Sequence, residues 1–202
     1  MVRYLFDPAN AITIAGLVFS AIAMDLVVSD RPELGVAAVL WALLADHLDG
    51  VVAARTRNRE VDAGRIGKNL DSFADLVSGA VFPALVLLQV NRGSLFSLIT
   101  AMVVLAAGAL RLSYFNCFGL SPDGRFYGVP LSYDVPLLAV LFLIRPIVSS
   151  SIFPGLICVC LFVLACLHVS SVRVPKTSGV MYAVVTLFAV TSSLVLAARG
   201  LS

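Results

Sequence analysis

Charge is scarce in this sequence: Asp, Glu, Lys and Arg make up 13% of 202 residues, about half their share in a soluble globular domain. Histidine occurs twice and tryptophan once. The four cysteines, Cys117, Cys158, Cys160 and Cys166, form no Cys-x-x-Cys pair, and three lie in one apolar run, where they read as small apolar fillers. Low-complexity tracts and inverted repeats are missing as well. These shortages exclude intrinsic disorder, a disulfide scaffold and a nucleic-acid module, and a net charge of +2 is too small to argue an anionic partner. What the chain has is apolar sequence, 60% of its residues. A helix needs about 20 apolar residues to span a bilayer, so the length suits six to eight such helices and no separate soluble domain.

Apolar runs and breakers predict an all-α membrane bundle in one domain over 1–202, with helices at about 10–28, 34–54, 67–90, 95–116, 131–148, 152–169 and 177–198. The first run continues without a polar break or a small-residue cleavage site and reads as a span, not a signal peptide. Between Pro146 and Ser151 the division is weak, so six spans, with a re-entrant pair, stand beside seven. With the N-terminus inside, Arg3, Arg55, Arg57, Arg59, Arg65, Lys68, Arg111, Arg125, Arg173 and Lys176 fall on the cytoplasmic side. Arg31, Arg92, Arg145 and Arg199 fall on the other, a split of 10 to 4 in the sense of the positive-inside rule.

Four acids lie inside this apolar sequence. Asp46 and Asp49 belong to the second run, Asp71 and Asp75 to the third. A carboxylate at a helix centre costs about 2.5–3.5 kcal/mol on insertion scales, so something must compensate four of them. Spacings of three and four put each pair on one helix face, and a short connection turns the two faces together. Such a cluster, without matching lysines, calls for cations, and all-oxygen ligation suits Mg²⁺, Mn²⁺ or Ca²⁺, one or two ions. The alternative is acids at helix ends, in water or paired with Arg55, Arg57 or Lys68. Gly50 and Ala53 would let a flat ligand approach the backbone closely, although small residues at such spacing also serve helix packing.

Asp46-x-x-Asp49-Gly50-x-x-Ala53, followed by Gly67-x-x-x-Asp71-x-x-x-Asp75, resembles the signature of the CDP-alcohol phosphatidyltransferase family. Leu70 to Ser78, Ala109 to Asn116 and Tyr127 to Pro130 resemble its CDP-diacylglycerol–serine branch, the phosphatidylserine synthases. The resemblance covers about 8–135. Two departures stand out: the family arginine after the motif alanine is Ala54 here, followed by Arg55, and Ser132-Tyr133-Asp134 interrupts a stretch that is small and apolar in the serine branch.

The resemblance implies transfer of a phosphatidyl group from CDP-diacylglycerol to an alcohol, releasing CMP, by an integral membrane enzyme. L-serine is the favoured acceptor; choline, inositol phosphate and glycerol phosphate are the alternatives, and an ion-coupled carrier is the remote one. It implies two divalent ions, Mg²⁺ or Mn²⁺, held by Asp46, Asp49, Asp71 and Asp75, with Asp75 as general base. The nucleotide would lie against Gly50, Ala53, Asp46 and Gly67, in a homodimer whose site faces the cytoplasm. Arg55, Arg111 and Arg125 are candidates for phosphate or acceptor oxygens. For Arg111 snorkelling stays open, and for Arg125 a solvated loop charge. Asp134 has three readings: a partner for an acceptor amine, a salt bridge to Arg111 or Arg125, and an acid at a helix N-terminus. His47 reads as packed beside the acids and His168 as interfacial.

Overall fold

A computed structural model describes residues 1–56, 59–176 and 179–201, so Arg57 and the first two residues of the seventh predicted helix lie outside the described residues. The described residues form seven helices: α1 Pro8–Val28, α2 Pro32–Arg55, α3 Val61–Val90, α4 Leu95–Phe118, α5 Asp134–Ile144, α6 Phe153–His168 and α7 Val180–Leu201. Two short strands, β1 Phe126–Tyr127 and β2 Arg173–Val174, pair antiparallel.

Proline opens α1 and α2, where its missing N–H is no loss. Asp7 caps α1 by accepting from the Asn10 N–H at 3.1 Å. Five helices, α1 to α4 and α7, are long and apolar enough to cross a membrane. The other two are shorter: α5 has 11 residues between single 3₁₀ turns, and α6 has 16. A turn separates α5 from α6, so the region of Pro146 holds two helices and a break between them.

α3 begins six residues before its predicted start, because its first turns are amphipathic and polar, without a hydropathy signal. Within it, Val77–Val81 form one π-helical turn. Pro83 follows it; a proline ring collides with the carbonyl four residues back in a regular helix, and the wider turn relieves that. The π turn also brings Gly79 against Leu131, where a methyl would stand 3.0 Å from the Leu131 Cβ.

α1 and α2 pack most intimately. A methyl on Gly35 would stand 2.8 Å from the Ala23 carbonyl, so this approach depends on a missing side chain. The buried stripe of α1 is Asn10, Thr13, Gly16, Ser20, Ala23 and Val27, polar toward the acid end and apolar toward the other. Leu40, Phe82, Leu138, Phe142, Ile157 and Leu161 fill the centre. Outward-facing Phe19, Ile22, Phe96, Ile99, Met102, Leu187 and Leu194 cover the flanks with apolar surface, as a bilayer requires.

Candidate active site

Spacing on α2 and α3 turns the four motif acids toward one another. Asp46, Asp49 and Asp71 each present a carboxylate oxygen within 4.8 Å of the others. Asp75 joins them: with Asp46 and Asp49 it lines a narrow crevice. Asp49 is 6% exposed and accepts a short hydrogen bond from the Thr13 hydroxyl of α1. Among the described residues no lysine or arginine forms an ion pair with any of the four. An all-oxygen set of close carboxylates without a lysine or arginine partner, with only the His47 ring 3.9 Å from Asp46, fits a hard divalent cation.

Beside the acids opens a cleft of about 240 Å³, lined by Asp49, Gly50, Ala53, Gly67 and Asp71, with Arg59 and Lys68 at its rim. A methyl on Gly50 would meet nothing within 4 Å, so the wall there is open. A methyl on Gly67 would collide with the Asn10 side chain and stand 2.8 Å from Arg59 Nη2, so Gly67 makes room for those two groups.

Those groups form a latch. Arg59 grips Asp7 with two hydrogen bonds, Nη2 to Oδ1 at 2.8 Å and Nε to Oδ2 at 3.1 Å, and gives a third to Asn10 Oδ1 at 2.8 Å. Asn10, 1% exposed, donates in turn to the carbonyls of Tyr4 at 3.0 Å and Ala63 at 3.3 Å. The latch ties the start of α1 to the start of α3. The Arg59 guanidinium holds the Asp7 carboxyl below its ordinary range, against the opposing effect of burial.

Arg55 is exposed at the end of α2 and lines no part of the cleft; Arg59 is the arginine brought to it. Arg111 is 6% exposed, its Nε has no hydrogen-bond partner, and its guanidinium sits 5.3 Å from the Phe115 ring and 5.4 Å from that of Phe126. It therefore does not snorkel. It lines a second cavity, of about 420 Å³, together with Tyr114, Tyr127 and His168. Arg125 lies on the surface loop, 3.6 Å from Asp123, and is not gathered with the acids.

Asp134 is fully buried at the N-terminus of α5 and meets neither Arg111 nor Arg125: its partner is His168 of α6, Nε2 to Oδ2 2.8 Å. The two groups touch without a well-directed hydrogen bond between them. His168 is thus buried in the bundle, not interfacial, and its Nδ1 meets the Val129 carbonyl at 2.8 Å. His47 packs as expected, 2.8 Å from the Leu43 carbonyl and edge-on to Tyr182.

The family model for CDP-alcohol phosphatidyltransferases matches residues 6–166, which contain every motif acid. The chain belongs to the CDP-alcohol phosphatidyltransferase family. Among curated relatives, the archaetidylserine synthase of Methanothermobacter thermautotrophicus is 29% identical over 70% of this chain and 58% of its own length. The CDP-diacylglycerol–serine O-phosphatidyltransferase of Bacillus subtilis is 32% identical over 67% of this chain and 76% of its own. The phosphatidylcholine synthase of Rhizobium johnstonii is 28% identical over 67% of this chain and 55% of its own. The match to the archaeal and rhizobial relatives thus spans less than two thirds of either, and relatives with different acceptors are similar to it to nearly the same degree.

Proposed function

We propose that the chain transfers the phosphatidyl group of CDP-diacylglycerol to the hydroxyl of L-serine, giving phosphatidylserine and CMP. The carrying observation is the convergence of Asp46, Asp49 and Asp71 within 4.8 Å beside a cleft walled by Gly50 and Ala53. Asp46, Asp49, Asp71 and Asp75 hold Mg²⁺ or Mn²⁺, which when bound offsets the charge of a pyrophosphate and of the leaving CMP oxygen. Gly50, Ala53 and Gly67 seat the nucleotide, with Arg59 at the rim. Asp75 is the general base: as the acceptor oxygen bonds to phosphorus and the bond to the CMP oxygen breaks, it takes the hydroxyl proton. The active site faces the cytoplasm, where serine and CMP exchange with water, and the enzyme is a homodimer.

Serine is favoured over choline by Arg111. A buried guanidinium with an unpartnered Nε suits a carboxylate and repels a quaternary ammonium. Tyr114, Tyr127 and Phe126 around it are the one feature that favours choline, since aromatic faces attract such cations. The deciding assay gives purified protein CDP-diacylglycerol, Mn²⁺ or Mg²⁺, and serine, choline, inositol phosphate or glycerol phosphate in turn, and measures CMP release. Release driven by serine is the expected result; release driven by another alcohol alone would replace the acceptor and leave the chemistry. Asp49→Asn and Asp71→Asn should each lower turnover at least about 10²-fold while the protein stays folded. Retention of more than a tenth of the rate would remove the metal assignment.

A further inference from the structure

At the opposite end of the bundle, where α3 turns into α4 and α5 into α6, lies a cavity of about 490 Å³. Arg92, Asn91 and Ser94 form one wall and Arg145, Val148 and Phe153 another. The nineteen residue steps of α3 from Asp71 to Val90 put it about 28 Å along the helix from the acids, so it is separate from the cleft described above. We propose that it binds the phosphodiester headgroup of an anionic phospholipid in the leaflet facing away from the catalytic acids.

Three observations carry the assignment. The first is the backbone of Arg92. Its φ is +50°, just past the end of α3, a position glycine normally fills, and Gly93 at +67° follows it. An L side chain held there is strained, and strain of this kind persists where the side chain is used. The second is charge. Arg92 has no ion-pair partner among the described residues. Asp30 is engaged by Gln89 at 2.7 Å, and Glu33 is paired with Arg145, which leaves Arg92, among the described residues, as the cavity's unpaired cation. Among the described residues no carboxylate lines the cavity, and the N-terminus of the 24-residue α4, capped by Ser94, opens at its edge. The third is the fixed pose of Arg145. It is held by Glu33 and lies 5.5 Å from the Phe153 ring and 5.8 Å from that of Phe142, next to apolar Val148. Two guanidinium groups above an apolar wall match a phosphate attached to a glycerol and acyl chains better than a phosphate in water.

The test titrates purified protein in neutral-detergent micelles with phosphatidylglycerol, phosphatidylcholine or inorganic phosphate, and follows the thermal midpoint and, by native mass spectrometry, retained lipid. Phosphatidylglycerol should raise the midpoint and be retained; phosphatidylcholine and inorganic phosphate should do so at least about tenfold more weakly, the equivalent of one charge-assisted contact. Arg92→Gly relieves the backbone, so it should fold at least as well as the wild type and yet lose about tenfold in apparent affinity for phosphatidylglycerol. Arg145→Gln should lose as much. Undiminished phosphatidylglycerol binding in Arg92→Gly would overturn the proposal. Inorganic phosphate acting as strongly as the lipid would overturn the lipid assignment, as would equal binding of phosphatidylcholine.

Discussion

The latch at the start of α1 makes a prediction that separates charge from helix capping. Asp7→Asn keeps a side-chain oxygen to cap α1 but removes the charge that grips Arg59; Asp7→Ala removes both. The Asp7 and Arg59 side chains are 10% and 19% exposed and meet through two hydrogen bonds. The pair is therefore screened less than a surface ion pair, and its loss should cost about 1–2 kcal/mol. Asp7→Ala should cost about 1 kcal/mol more, the usual worth of an N-cap. The pH dependence follows from the sign of the shift. Asp7 is held below its unfolded value, about 3.9, so its contribution is complete above that value and is lost as pH falls through the lower folded one. Detergent-solubilised wild type, Asp7→Asn and Asp7→Ala, melted at pH 7, 5 and 3.5 with Trp41 fluorescence as the probe, should differ in that order at the first two values. The gap between wild type and Asp7→Asn should narrow at the third. The same two variants free Arg59 at the cleft rim and should raise the KM for CDP-diacylglycerol more than that for the alcohol. Equal stability of wild type and Asp7→Asn at pH 7, or a gap that widens in acid, would refute the reasoning.

Asp75→Asn should lower kcat with little change in the KM for CDP-diacylglycerol, because the base acts on the acceptor; steady-state kinetics in both substrates read this, and lost nucleotide affinity would make Asp75 a ligand only. Asp134→Ala leaves the buried His168 without its side-chain partner and should destabilise by about 1–3 kcal/mol, whereas the double variant Asp134→Leu with His168→Leu should cost less than the sum of the singles in thermal melts. Gly128→Ala should reduce folded yield in detergent by size-exclusion profile, since Gly128 has φ +70° and an added methyl would collide with the His168 carbonyl.

Much of this was legible in the sequence, because a membrane protein declares its helices by hydropathy. The predicted 10–28, 34–54, 95–116 and 152–169 lie within two residues of α1, α2, α4 and α6 at each end. The convergence of the acids was legible too, from spacings of three and four on two helices joined by a short loop. What stayed hidden depends on contacts distant in the chain. Arg59 sits in a loop among other arginines, and nothing local marks it as the one that reaches the cleft while Arg55 is exposed outside it. The pairing of Asp134 with His168 joins residues 34 apart on separate helices, each with nearer conceivable partners. Thr13 and Asn10 carried a usable signal, a polar face on α1 three residues apart that continues through Gly16 and Ser20.

The 30 residues of α3 make a rod about 45 Å long, against a hydrocarbon layer of about 30 Å. With its Val90 end beside the cavity of Arg92 and Arg145 at one boundary, the excess emerges at the other, and Asp71 lies about 28 Å up the rod. Asp71 then stands about at the upper edge of the hydrocarbon layer, just beneath the phosphates of the lipids around it. The CDP-lipid proposed above would meet the carboxylates by sliding sideways, with its acyl chains in oil throughout. It avoids the penalty of lifting them into water, about 0.8 kcal/mol for every methylene. The overhang of one helix thus reduces the capture of an insoluble molecule from a problem in three dimensions to a search in two.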